Sequence, residues 1–247
     1  MHVKTFGPYQ ASFQQSKMDP MRVIAFGDIH MATQACENIP GIRQADLIIL
    51  TGDLTNFGSR PEVKQVLDQV MTYNPNVLAQ IGNIDHFEIN DYLEQLNINL
   101  HGQSRLAQGR LCIVGVGGSN RTPFRTPTEF SEDELLKIAT RAYEQGLEMI
   151  LHAEPKLGCK IPTLLVSHVP PANTLVDRLV HGKHVGSTAI RRIIEKHQPD
   201  LCITGHIHEA KGVDRIGRTT IINPGMLRKG GWIDIHLSQS TLHAVLQ

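Results

Sequence analysis

Five short segments place Asp, Asn or His directly after an apolar run: Asp28-Ile29-His30, Gly52-Asp53, Gly82-Asn83, Ser167-His168 and Gly205-His206-Ile207-His208. Residues at i and i+2 lie on the same side of extended backbone, so the Asp-x-His and His-x-His pairs can each grip one ion. The seven donors comprise two carboxylates, one carboxamide and four imidazoles, without a thiolate. This donor set favours Mn²⁺, Fe or Zn²⁺ over an all-cysteine zinc site.

The number of donors indicates two metal ions. Seven ligands are too many for one tetrahedral ion, and they suit two divalent cations about 3.5–4 Å apart that share a bridging carboxylate. Two such cations less the charges of Asp28 and Asp53 leave a surplus of about two positive charges, which suits an anionic phosphate. The pattern predicts metal-assisted hydrolysis of a phosphate ester, with Mn²⁺ as the first choice of metal and Fe or Zn²⁺ as alternatives.

The elements that must position these residues alternate between strands and helices. Ligands in open α/β sheets gather beyond the carboxyl ends of the strands, so segments far apart in the sequence can converge there. The predicted strands are Arg22–Gly27, Asp46–Thr51, Asn76–Ile81, Cys112–Val116, Ile161–Ser167 and Leu201–Thr204, followed by antiparallel strands within Lys211–Asn223 and Gly231–Leu246. The predicted helices are Arg60–Tyr73, a long helix from Ser131 to about His152 that Pro155 and Gly158 end, and Thr188–His197.

This alternation predicts a layered α/β fold in which two mixed sheets pack between helices. We expect one domain over residues 21–247, preceded at residues 1–20 by a polar N-terminal extension with little structure. The stretch Gly117–Pro127 is predicted to be one long loop.

Composition limits the class of partner. The 247 residues carry 24 Lys plus Arg against 24 Asp plus Glu, and this balance argues against a general nucleic-acid binder. We expect a cytoplasmic protein, because the sequence shows no apolar run of membrane-spanning length and no apolar signal-peptide core. The oligomeric state is left open.

In order, the five segments resemble the motifs D-x-H, G-D, G-N-[H/C]-D, an isolated H and G-H-x-H of calcineurin-like metallophosphoesterases. The resemblance runs from about Arg22 to the C-terminus, and GGSNRTPF, HVGSTAIRRIIEKHQPDLCITGHIHE and NPG are similar to the Icc-related branch. It implies a layered α/β/β/α metallophosphoesterase sandwich.

The resemblance also implies a role for each candidate ligand. It assigns Asp28, His30 and His208 to the first metal ion, and Asn83, His168 and His206 to the second, with Asp53 bridging both. Asp53, Asn83 and His168 are the expected catalytic residues, and a metal-bridging hydroxide is expected to attack phosphorus. The expected substrate is a small phosphate ester, a nucleotide among the candidates, with phosphodiesters preferred to phosphomonoesters.

One position departs from the family pattern. Many members have His after the motif Asn, where it protonates the leaving group or holds the phosphate, but this chain has Ile84, with His86 two residues later. Ile84 keeps open the alternative of a non-catalytic metal-binding interaction protein on the same fold. A nuclease is the third interpretation, which the neutral charge disfavours.

Four further residues are candidates for substrate contact: Asn56, Asn120, Arg121 and His184. Asn56 can instead orient a metal ligand or cap the following helix. An Arg in a glycine-rich loop is suited to bidentate phosphate binding, but Arg121 can equally be an ordinary exposed side chain. His184 precedes a helix and can equally belong to a solvated loop.

Overall fold

The computed structural model describes residues 19–247. The predicted N-terminal extension, apart from its last two residues, lies outside the described residues, and its boundary with the domain stays a prediction. In chain order the described strands are β1 (Met21–Phe26), β2 (Leu47–Leu50), β3 (Val77–Ala79), β4 (Ser104–Ala107), β5 (Leu111–Val116), β6 (Ser119–Asn120), β7 (Glu129–Phe130), β8 (Thr163–Ser167), β9 (Leu201–Ile203), β10 (Gly212–Ile216), β11 (Thr219–Asn223), β12 (Ile233–Ser238) and β13 (Thr241–Leu246). The α-helices are α1 (Arg60–Tyr73), α2 (Glu88–Gln95), α3 (Glu132–Leu157) and α4 (Thr188–His197).

Two mixed sheets form the centre of the fold. The first has the strand order β13-β12-β1-β2-β3, and the second has the order β10-β11-β9-β8-β5-β4. Strands β1, β2 and β3 are parallel, as are β5, β8, β9 and β11. Within each sheet the carboxyl ends of the parallel strands therefore lie along one edge, where the sequence pattern places the candidate ligands.

Three apolar cores define four layers. The core between the sheets is formed by side chains such as Val23 and Ile49 of the first sheet and Ile113 and Val166 of the second. Helices α1 and α2 bury their apolar faces against the outside of the first sheet, and α3 and α4 do so against the second. The predicted α/β/β/α sandwich of two mixed sheets is confirmed.

Helix α1 has the predicted bounds because its start and its buried face are both local features of the sequence. Ser59 and Glu62 form a capping box, and Pro61 occupies the first turn. The buried side chains are spaced for one helical face: Val63, Val66, Leu67 and Val70.

Helix α3 starts at the predicted Ser131 capping box but runs past His152 to Leu157. Pro155 lies inside the helix and does not end it. A proline at this position removes the N–H that would bond the carbonyl of Leu151, and solvent can replace that bond because Leu151 is exposed. The helix ends at Gly158, which adopts a left-handed conformation with φ 73°.

Some elements were not predicted. Helix α2 and strand β4 are absent from the sequence interpretation, and Gly117–Pro127 is not one plain loop, because β6 within it pairs with β7. Strands of two residues leave no periodic pattern in a sequence. Within residues 19–247, no helix is both long enough and apolar enough to cross a lipid bilayer.

Candidate metal centre

Most of the candidate ligands lie just beyond the carboxyl ends of β1, β2, β8 and β9. Asn83 lies in the loop after β3. Asp28, His30, Asp53 and His206 all adopt left-handed backbone, with φ of 46°, 49°, 49° and 66°. Residues other than glycine rarely adopt this conformation, and each instance costs on the order of 1–3 kcal/mol. Four such residues in the ligand loops mark a locally strained site.

Glycines let these loops approach one another closely. A Cβ atom on Gly52 would lie 2.6 Å from the Nδ1 atom of His168. A Cβ atom on Gly82 would collide with the carboxylate of Asp53, and one on Gly205 would collide with the carboxylate of Asp28. The ligand side chains occupy the space that any larger residue at these positions would need.

The first cluster consists of Asp28, His30, Asp53 and His208, each offering one ligand atom within 4.8 Å of the others. The Nε2 atom of His30 lies 3.2 Å from the Nε2 atom of His208. The latter atom is also 3.1 Å from Oδ1 of Asp28. Two imidazole nitrogens and a carboxylate facing one point suit a divalent cation.

The second cluster consists of Asp53, His168 and His206, again within 4.8 Å, and Asn83 joins it. Oδ1 of Asn83 lies 3.1 Å from Nε2 of His168 and 2.7 Å from Nδ1 of His206. Nε2 of His168 lies 3.3 Å from Oδ1 of Asp53. Asp53 is thus shared by both clusters, so all seven predicted ligands come together around it.

Burial and neighbouring charges have opposing effects on the pKa values of the clustered residues. Burial raises the pKa of Asp53, but neighbouring imidazoles, His168 foremost, hold it well below its usual range. Burial disfavours protonation of His168, yet the charges of Asp53 and Asp28 raise its pKa to about 9. Burial and the neighbouring His168 lower the pKa of His206 to about 4. The clustered carboxylates already stabilise a positive charge at this point, which fits the binding of cations.

Asn56 orients the ring of His30. Its Nδ2 donates to the carbonyl oxygen of His30 at 3.1 Å, and its Oδ1 lies 3.1 Å from Nδ1 of the same residue. A proton on Nδ1 donated to Asn56 leaves Nε2 free as a ligand atom. Helix α1 is capped by Ser59 instead, so of the two roles weighed for Asn56 the structure supports the orienting one. Its contact with substrate stays a prediction.

The other candidate substrate residues lie on two neighbouring segments. Nδ2 of Asn120 donates to the carbonyl oxygens of Val185 at 3.3 Å and Gly186 at 3.4 Å, joining these segments. Nδ1 of His184 lies 2.6 Å from Oδ1 of Asp177, and Arg121 is exposed. Substrate contacts for Asn120, Arg121 and His184 stay predictions.

Asp85 is a buried residue of the site that the sequence interpretation did not single out. Its carboxylate accepts hydrogen bonds from the backbone N–H groups of Leu54, Thr55 and Gly82 and from the hydroxyl of Thr55. It thereby ties the loop of Asp53 to the loop of Asn83. The signal that could have found it is its place in the G-N-x-D motif.

Position 84 contributes its backbone to the site. The Ile84 N–H donates to Oδ1 of Asp53 at 3.1 Å, while the side chain is half-buried. His86 is exposed, and its N–H donates to the carbonyl oxygen of Gly58 at 3.4 Å. The side chain at position 84 supplies no proton donor.

The sequence pattern of calcineurin-like phosphoesterases matches residues 21–210. The chain belongs to this family. An uncharacterized protein of Methanocaldococcus jannaschii is 34% identical over 212 residues, which span 83% of this chain and 88% of that protein. Among solved structures of this architecture, TT1561 of Thermus thermophilus has a TM-score of 0.60 at 17% identity, and the match covers 92% of this chain and 99% of that chain.

A dimetal phosphatase from Danio rerio has a TM-score of 0.50 at 10% identity, with 92% of this chain and 99% of that chain covered. At these identities the two structures establish the shared fold. The family resemblance noted from the five motifs is confirmed, and this calcineurin-like phosphoesterase carries an Asp/His cluster that could hold metal ions.

Proposed function

We propose that this family member is a metal-dependent phosphoesterase that hydrolyses small phosphate esters, preferentially phosphodiesters, at a dinuclear centre. The observation that carries the proposal is the position of Asp53, whose carboxylate belongs to both clusters of candidate ligands. A carboxylate shared by two clusters is the feature expected where one group bridges two ions.

Each side chain then has a defined task. Asp28, His30 and His208 would hold one ion, Asn83, His168 and His206 would hold the other, and Asp53 would be shared by both. When bound, two divalent cations, Mn²⁺ in the first instance, polarise the phosphoryl oxygens and lower the pKa of the water that attacks phosphorus. Asn56 contacts Nδ1 of His30 and so would keep the Nε2 atom of the same ring available to the ion.

Ile84 narrows the substrate range. A general acid typically contributes about 10²–10⁴-fold, and its contribution is small when the leaving group is already stable as an anion. Without a proton donor at position 84, we expect phosphoesters with acidic leaving groups to be hydrolysed faster than alkyl esters. The balance of 24 basic and 24 acidic residues favours a small substrate over a nucleic acid.

Ile84 also supports a second candidate function, a metal-binding protein that uses its cations to hold an anionic partner without hydrolysing it. Both proposals require two bound metal ions, so metal content alone does not separate them. The two functions are distinguished by measuring turnover of a substrate that needs no general acid.

The test is hydrolysis of a bis-aryl phosphodiester and the matching aryl phosphomonoester by Mn²⁺-reconstituted protein. Asp53→Asn should abolish turnover, because it removes the shared carboxylate charge. Asp68→Asn is the matched control, because Asp68 lies exposed on α1 and pairs with Lys64, one turn earlier on the same helix. Turnover that survives Asp53→Asn would refute the proposed site. Two bound ions without turnover would favour the interaction protein.

A further inference from the structure

Thr126 lies on the segment between β6 and β7, and Glu129 is the first residue of β7. Neither belongs to the proposed set of metal ligands. Nδ2 of Asn83 donates to the hydroxyl oxygen of Thr126 at 3.0 Å. The hydroxyl of Thr126 in turn donates to Oε1 of Glu129 at 2.7 Å. A chain of two hydrogen bonds thus runs from Glu129 to the amide of a candidate ligand.

The direction of these bonds follows from what each group can donate. A hydroxyl has one hydrogen, and a carboxylate can only accept, so the hydrogen of Thr126 is committed to Glu129. Toward Asn83 the same hydroxyl can then only accept, and it selects the NH₂ end of the amide. The oxygen end is left facing His168 and His206, where it can bind a cation.

Glu129 is held firmly in its accepting role. Its Oε1 also accepts from the hydroxyl of Thr122 at 2.6 Å and from the backbone N–H of Thr126 at 2.7 Å. Although burial opposes it, these hydrogen bonds from Thr122 and Thr126 lower the pKa of Glu129. The carboxylate therefore stays ionised near neutral pH and offers no hydrogen of its own.

The segment itself is anchored to the loop of Asn83. The carbonyl oxygen of Asn83 accepts from the backbone N–H of Thr128 at 2.9 Å, and the hydroxyl of Thr128 donates to the carbonyl oxygen of Asp85 at 2.6 Å. Pairing of Ser119 with Glu129 closes the segment at its base. The position of Thr126 relative to Asn83 is consequently set by contacts that do not involve the hydroxyl of Thr126.

We propose that Thr126, oriented by Glu129, is a positioning residue that directs the amide oxygen of Asn83 into the second cluster and so sets the affinity of that cluster for its ion. This inference rests on the proposed dinuclear centre, in which Asn83 is a ligand. A neutral amide can rotate so that either end faces the ion, and the NH₂ end would repel a cation. The two hydrogen bonds from Asn83 to Thr126 and from Thr126 to Glu129 disfavour the orientation in which the NH₂ end faces the ion.

The test uses calorimetric titration of the metal-free protein with Mn²⁺, comparing Thr126→Val with Thr126→Ser. Val is close to Thr in shape and has no hydroxyl, whereas Ser keeps the hydroxyl. Asn83→Ala identifies which of the two binding steps belongs to the second ion. We expect Thr126→Val to weaken that step by about 10–100-fold and to leave the other step unchanged, and we expect Thr126→Ser to keep most of the affinity.

Glu129 gives an independent pair of variants. Glu129→Ala should weaken the same step, because the freed hydroxyl of Thr126 can then donate to Asn83 and favour the wrong end of the amide. Glu129→Gln keeps an oxygen that can accept, so it should bind closer to wild type than Glu129→Ala does. Thr72→Val on the exposed surface of α1 controls for the loss of a hydroxyl.

The outcomes separate this inference from the function on which it rests. Wild-type protein that takes up fewer than two ions would refute the dinuclear centre itself, and the inference with it. Two ions in wild type with an unchanged second step in Thr126→Val would overturn the inference alone. Equal weakening of both steps in Thr126→Val, accompanied by a lower Tm, would show a merely structural role and would overturn it as well.

Discussion

Replacing Asp85 with Asn should destabilise the fold and the metal centre together. Both oxygens of the Asp85 carboxylate are fully used by four donors at 2.8–3.0 Å, three of them backbone N–H groups. Burial and the charge of Asp53 raise the pKa of Asp85, while these N–H donors act in the opposite direction. Because all four neighbouring groups donate hydrogen bonds, both oxygens of the side chain at position 85 must be able to accept them.

The magnitude follows from the number of donors that lose their acceptor. In Asp85→Asn one end of the side chain becomes an NH₂ group, which faces two of the four donors and can accept from neither. A buried polar group without a partner costs about 1–3 kcal/mol, so the variant should lose about 2–6 kcal/mol of unfolding free energy. Because Asp85 joins the Asp53 and Asn83 loops, Mn²⁺ affinity should also fall.

Urea unfolding of the metal-free protein measures the first effect, and titration with Mn²⁺ measures the second. Asp200→Asn makes the same charge change beside the start of β8, at the opposite end of that strand from His168, where Asp200 accepts from the Thr163 N–H. This control should lose stability without losing metal affinity. An Asp85→Asn variant within about 0.5 kcal/mol of wild type would refute the reasoning, because it would mean that the four hydrogen bonds contribute almost nothing.

Three further changes test other parts of the structure. Burial lowers the pKa of His101 from 6.5 to about 4, so between these pH values the unfolded chain binds a proton that the folded chain does not. The free energy of unfolding should therefore fall by about 3 kcal/mol as the pH drops from 6.5 to 4. Urea unfolding across this range should show a weaker pH dependence for His101→Gln than for wild type, and parallel profiles would contradict the assignment. Gly82→Ala places a methyl group where the Asp53 carboxylate lies, so Mn²⁺ uptake should fall sharply in metal analysis, and full uptake would show that the loop yields easily. Ile84→His should raise hydrolysis of an alkyl phosphodiester far more than that of a bis-aryl diester, since only the alkyl leaving group needs a proton, and equal gains on both substrates would indicate a role other than general acid.

The sequence was sufficient to predict that the candidate ligands come together, because the relevant geometry is repetitive. Parallel strands end along one edge, so a polar residue directly after each apolar run is expected at that edge. Asp28, Asp53 and His168 were all selected as candidates in this way, and they lie in the two clusters. Helix α1 was predicted with its bounds because the capping box and the apolar spacing are both local patterns.

The contacts of the supporting network could not be predicted, because they join distant parts of the chain. Thr126 contacts Asn83 across 43 positions, and Asp85 contacts Leu54 across 31. A Thr in a loop gives no sign of its partner until the strands on either side have been placed. The same holds for β6 and β7. Their pairing depends on the path of the segment that connects them and not on their own residues.

The backbone strain of the candidate ligand loops concerns metal binding and not catalysis. Asp53 belongs to the question of metal binding, and Ile84 belongs to the question of catalysis. Four candidate ligand residues in left-handed conformation cost free energy in the folded chain, and cation binding at the proposed centre would offset that cost. A scaffold that never bound metal would gain nothing from such loops. In the proposed reaction the side chain of Ile84 bears on the protonation of the leaving group, while its backbone N–H still donates to Asp53. For the proposed phosphoesterase, the lack of a general acid at position 84 would narrow the range of substrates and would leave the reason for the metal site unchanged.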